Sequence, residues 1–121
     1  MTTRQSMPFI RIDDLMSHQP FPDDGILTRT LHDDPSLKVV LFTYSKGQEL
    51  SEHTATMPAV LHFLEGQAEL TLGSERIKVG PGAWVHMAPK LPHSISTKTP
   101  VRMVLYLIKK GAMPGAEEGC A

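Results

Sequence analysis

Short runs of apolar and β-branched residues, each cut off by Gly, Pro or Asp, dominate the chain after residue 24. Their alternation predicts strands over Ile26–Leu31, Lys38–Tyr44, Val60–Glu65, Ala68–Leu72, Arg76–Val79, Trp84–Met87, His93–Ser96 and Val101–Ile108, and an edge strand over Phe9–Ile12. Turn chemistry fills the gaps at Asp33-Asp34-Pro35-Ser36, Leu72-Gly73-Ser74-Glu75 and Gly80-Pro81-Gly82. Residues 68–79 read as a tight hairpin, two alternating runs joined by Gly73-Ser74. Helical signal is confined to one turn over Asp13–Ser17, and Pro20 and Pro22 forbid its continuation.

Eight or nine short strands with no repeat and no internal linker predict a single all-β domain. An open sheet would expose its edges, so the expected architecture is closed or double-layered. The boundaries follow: an N-terminal arm over 1–24, a barrel over 25–110, and a Gly/Ala/Glu tail over 111–121 with too few apolar anchors to order itself. Hydrophobic residues make up 40% of the 121, enough for a core without disulfides.

Charge and cysteine usage narrow the function. A formal net charge of −1 offers no basic excess, which argues against nucleic acid as a partner. No apolar run reaches the length of a membrane span, and the N-terminus does not lead into the apolar core of a signal peptide. The single cysteine, Cys120, excludes an intramolecular disulfide and makes a reducing cytoplasm the expected compartment. No carboxylate pair stands out for acid–base work, and Ser94 directly follows His93, which sends their side chains to opposite faces and argues against a serine–histidine dyad.

Two glycine-to-histidine stretches carry the chemistry. Gly47-Gln48-Glu49-Leu50-Ser51-Glu52-His53 sets a glycine six residues ahead of a histidine. Phe63-Leu64-Glu65-Gly66-Gln67-Ala68-Glu69-Leu70-Thr71-Leu72 follows as a strand–turn–strand step, and Gly82 through Ala88-Pro89-Lys90-Leu91-Pro92-His93-Ser94 repeats the theme with a second histidine. In order and spacing these segments resemble the two signature motifs of the cupin superfamily, over roughly residues 37–108. The resemblance implies a double-stranded β-helix, the jelly-roll barrel, of the small single-domain kind.

The resemblance also implies a divalent metal, Fe, Mn, Ni or Zn, held by His-x-His, a later Glu and a final His. Carried onto this chain, the first ligand is His53 and the last His93, while the second histidine position is Ala55 and the glutamate position is Ala59. Regular alternation over Trp84–Ala88, in the family-like register, turns Trp84, His86 and Ala88 to the cavity and makes His86 the preferred third ligand. His62 is the alternative: simple alternation puts Ala59, Leu61 and Phe63 inward and His62 outward, and a bulge reverses that. The Ala55 and Ala59 methyls are expected to leave room beside His53 for an organic ligand. His18 and His32 have no motif support and read as ordinary surface or loop residues.

The leading expectation is a stand-alone barrel that binds a small molecule, with a histidine-held metal supplying dioxygenase-, isomerase- or lyase-type chemistry. The alternative is a metal-free, non-catalytic binding or sensor domain, which the two alanines favour. Whether the chain is an enzyme is left open at this stage. The strand Val101–Ile108 is apolar on both faces, so its outer face needs a cover, from the N-terminal segment or a partner subunit; a homodimer is expected.

Overall fold

A computed structural model of the chain describes residues 8–17 and 19–109. Its strands are β1 (Ile26–Asp33), β2 (Leu37–Tyr44), β3 (Glu49–His53), β4 (Ala59–Glu65), β5 (Ala68–Leu72), β6 (Glu75–Val79), β7 (Trp84–Met87), β8 (His93–Thr97) and β9 (Val101–Ile108). Among the described residues they form two antiparallel sheets, one of order β1-β2-β9-β4-β7 and one of order β3-β8-β5-β6. The chain passes repeatedly from one sheet to the other, and the two close face to face as a jelly roll.

Alternation along each strand builds the core. Tyr44, Ala59, Leu61, Phe63, Met87, Val101 and Met103 point inward from the larger sheet and meet Ala68, Leu70, Val79 and Ile95 from the smaller. The larger sheet has a second apolar face: Val39, Leu41 and Val104 on its outer side are also buried, packed with Leu15, Leu31 and Tyr106. Leu15 belongs to a 3-10 turn at Leu15–Ser17, so the N-terminal arm lies over this face. The arm is tied down further on. The Gln19 amide donates to Leu27 O at 3.1 Å and to Thr43 Oγ1 at 2.8 Å, and Arg102, ion-paired with Glu65, donates to Gln19 O and stacks 4.0 Å from the Phe21 ring.

Two features differ from the pattern-based expectation. Phe9–Ile12 forms no strand; Phe9 and Ile10 stand 63% and 52% exposed, because side-chain anchors further along, not a backbone ladder, hold the arm. Glu49–His53, conversely, is a strand although its sequence is polar and almost wholly exposed, because the neighbouring ladder of β8 accepts it. The expected hairpin forms as read, with Leu72 opposite Glu75 across Gly73-Ser74. The turn between β1 and β2 is organised by the Asp34 carboxylate, which accepts from the Ser36 and Leu37 N–H groups and pairs with His32 at 2.7 Å. These contacts, the His32 bond first, hold the Asp34 carboxyl well below the usual carboxylate range. The tail 111–121, with Cys120, lies outside the described residues, as does His18. No helix among the described residues is long and apolar enough to cross a membrane.

Two stability predictions follow from the interior. Gly66 adopts φ +91°, and a Cβ there would stand 2.0 Å from the carbonyl oxygen of Pro100. Gly66→Ala therefore costs about 3 kcal/mol, read as a lowered urea midpoint. The Tyr44 hydroxyl is buried with no protein hydrogen-bond partner, and burial pushes its pKa up. Tyr44→Phe removes an uncompensated polar group while keeping the ring, so it is neutral or stabilising by about 1 kcal/mol in the same measurement.

Candidate functional site: an imidazole pair at the barrel mouth

At one end of the barrel β3 finishes on His53 and β8 begins on His93, and an irregularity between Leu50 and His53 brings these two into register as Cα partners. Their ring centroids lie 4.2 Å apart with the planes inclined at 57°. Residues far apart in sequence thus supply adjacent imidazoles.

Each ring is oriented by its own backbone. His53 Nδ1 lies 3.0 Å from Ser51 O, and His93 Nδ1 lies 2.9 Å from Leu91 O. A carbonyl only accepts, so both Nδ1 atoms carry the proton, and in the neutral rings both Nε2 atoms present lone pairs. His53 is exposed, whereas His93 is only 5% exposed. Burial first, and the neighbouring His53 second, push the His93 pKa below its ordinary 6.5; the Leu91 carbonyl opposes them.

The loops around the pair are tied together. Lys90 N–H donates to Ala55 O at 2.7 Å and Gly73 N–H to Pro92 O at 2.8 Å, which joins the segments before β4, after β5 and before β8. Lys90 has φ +70°, the one non-glycine residue in the left-handed region among those described, so the β7–β8 loop carries backbone strain next to the histidines. Neither that strain nor the two carbonyl contacts has a signal in the sequence. Leu72 stands opposite His93 as its partner on β5, and Leu91, Leu105 and Leu107 are inward-facing leucines that stay partly exposed at this end. The rim is apolar.

The remaining candidates fall elsewhere. Ala59, Leu61 and Phe63 do face inward, yet they are packed into the core and line no open chamber. Ala59 sits between Met87 and Leu107 as its Cα partners, so apolar side chains close the room expected beside it; Ala55 is half-buried in the loop bonded to Lys90. Trp84 and His86 are a correction. β7 pairs with β4 so that Met87 opposes Ala59 and Val85 opposes Leu61, and opposed residues share a face. Val85 and Met87 therefore point in, while Trp84 and His86, opposite His62 and Val60, point out. His62 stays outward because β4 runs unbulged through this stretch, its register shift coming only between Phe63 and Glu65. Both proposed third ligands thus lie across a sheet from His53 and His93.

This donor set does not fit the metal that the motif implies. Catalytic zinc and non-haem iron sites ordinarily use about three protein ligands. Among the described residues no three or more His, Cys, Asp or Glu side chains group as a metal site. Ser94 faces away from His93, into a polar trough of about 460 Å³ on the outer side of the smaller sheet, floored by Ser94 and Ser96 and flanked by Glu49, Glu69 and Arg76.

Residues 40–109 match the family model described as the cupin domain. Among solved structures, a conserved protein of unknown function from Streptococcus pyogenes superposes with a TM-score of 0.76 at 28% identity, covering 87% of this chain and 92% of that one. A cupin superfamily protein from Desulfitobacterium hafniense gives 0.76 at 20% identity, covering 86% and 95%. Salicylate 1,2-dioxygenase from Pseudoaminobacter salicylatoxidans gives 0.66 at 16% identity, with 74% of this chain on 27% of that one. No curated protein matches.

The lowered His93 pKa has a measurable consequence. As pH falls below 6.5 the unfolded chain takes up this proton before the folded one, so the contribution of His93 to stability is complete above that value and shrinks below it. Urea midpoints measured between about pH 5 and about pH 7.5 should therefore rise with pH, and His93→Gln should flatten the rise. An equally steep profile in the variant would remove His93 as its source.

Proposed function

The chain belongs to the cupin family, and on that premise we propose that it is a metal-independent small-molecule-binding barrel whose ligand docks its polar head on His53 and His93. The single observation that supports this reading is the imidazole pair itself, 4.2 Å apart, each Nδ1 committed to a carbonyl and each Nε2 left to face a ligand. A ligand hydroxyl or protonated acid donates to a neutral Nε2. A carboxylate instead draws a proton onto the pair, because a charge-assisted bond is about twice as strong as a neutral one. Apolar atoms of the ligand then rest on the partly exposed Leu72, Leu91, Leu105 and Leu107. A small organic acid with an apolar body satisfies both halves of this surface.

The test has two arms. Protein purified without a histidine tag or chelators is analysed for Fe, Mn, Ni and Zn beside a His53→Ala, His93→Ala double variant. The expected outcome is sub-stoichiometric metal in both. Near-stoichiometric metal that disappears in the double variant would overturn the metal-independent reading. In the second arm, benzoate and octanoate are titrated into labelled protein while the imidazole nitrogens are followed by NMR. Either probe should shift both rings, and His53→Ala should weaken binding by about tenfold, the equivalent of one charge-assisted bond. Unmoved imidazole signals at saturation would place any binding elsewhere.

A further inference from the structure

We propose that the trough on the outer side of the smaller sheet is a second binding site, which takes a dipeptide by its two charged ends. The register of the sheet lays out its floor and walls. Ser96 on β8 has Glu49 of β3 and Glu69 of β5 as its Cα partners, so the serine stands in one outward row between two glutamates. In the next row Ser94 is opposite Thr71, and Thr71 is opposite Arg76 of β6. Short serines on a strand with longer side chains on either side leave a depression of about 460 Å³, the size of a small-ligand site. Glu69, Thr71, Ser94 and Ser96 are half-buried in it.

The side chains of the trough are uncommitted. Among the described residues, Glu49, Glu69, Thr71, Arg76, Ser94 and Ser96 make no side-chain hydrogen bond or ion pair. Glu52 and Lys98 also line the trough, so charges of both signs are present and neither a polycation nor a polyanion is matched. A molecule with one charge of each sign is. An ammonium group has three donors and no acceptor, and over Ser96 it meets two carboxylates and a hydroxyl. A carboxylate in the neighbouring row meets the fork of the Arg76 guanidinium, with the Thr71 and Ser94 hydroxyls as further donors. Rows two residues apart along a strand are separated by about 7 Å, and two extended residues span about 7 Å. A dipeptide thus has the right length, whereas the two ends of a free α-amino acid lie too close together. His93 and Ser94 are consecutive on β8 and point to opposite sides, so this site is separate from the imidazole pair.

Glycylglycine titrated into the isotope-labelled full chain tests the site, with backbone amides and imidazole nitrogens followed by NMR. Saturable shifts are expected at Glu69, Thr71, Ser94 and Ser96, with the rings of His53 and His93 unmoved. Acetylating the amino end of the probe, or amidating its carboxyl end, should each weaken binding about tenfold, the equivalent of one charge-assisted bond. Arg76→Gln should weaken glycylglycine by a similar factor and leave the binding of glycylglycinamide unchanged. Glu69→Gln should likewise weaken glycylglycine and leave the acetylated probe unchanged. Trough amides that stay unmoved up to about 50 mM glycylglycine, far above the millimolar constant that two charged anchors imply, would overturn the proposal. So would blocked probes that bind as tightly as glycylglycine, since the charged ends would then not be what is recognised.

Discussion

The pairing of β8 with β3 on one side and β5 on the other holds the chemistry of this molecule in place. That ladder sets His93 between His53 and Leu72, and its hydrogen bonds, not any contact between the rings, bring the two imidazoles to 4.2 Å. The remaining orientation is local. Each ring reaches back two residues to a carbonyl of its own strand or loop, so the tautomer is set by backbone that the ladder has already made rigid. A change that shifts β3 against β8 would disperse the pair while leaving the core of the larger sheet intact.

Two imidazoles without a carboxylate behave differently from a full metal cage. Among the described residues no three His, Cys, Asp or Glu side chains gather here, so the two rings stand without the carboxylate of a full cage. Burial, with the neighbouring His53 ring adding to it, disfavours protonating His93. On the proposed reading, a donor would be accepted by a neutral ring as it stands, and an anion would carry a proton in.

The same barrel presents two unlike outer faces. The smaller sheet is polar outside, with serines on the central strand β8 flooring a trough between charged side chains. The larger sheet carries a buried apolar strip outside, Val39, Leu41 and Val104 under the arm, with histidines and an exposed tryptophan towards β7. Sheet alternation separates inward from outward chemistry even within a strand as short as β7.

Sequence alone was enough for the strands that are rich in β-branched and apolar residues, because burial on one or both faces imposes that composition, and for the hairpin at Gly73-Ser74, because its turn chemistry is local. It also pointed to His53 and His93, through the resemblance of their two stretches to the cupin motifs. The polar strand Glu49–His53 stayed hidden as a strand, since what makes it one is the ladder of β8, a partner far along the chain. The exposed run Phe9–Ile12 looked like a strand but found no ladder to join. His86 and Trp84 show the limit most clearly. Alternation says that they share a face and is silent on which one, because a period of two has two phases. Only the pairing of Met87 with Ala59 chooses the phase, and it turns both side chains away from the histidine pair.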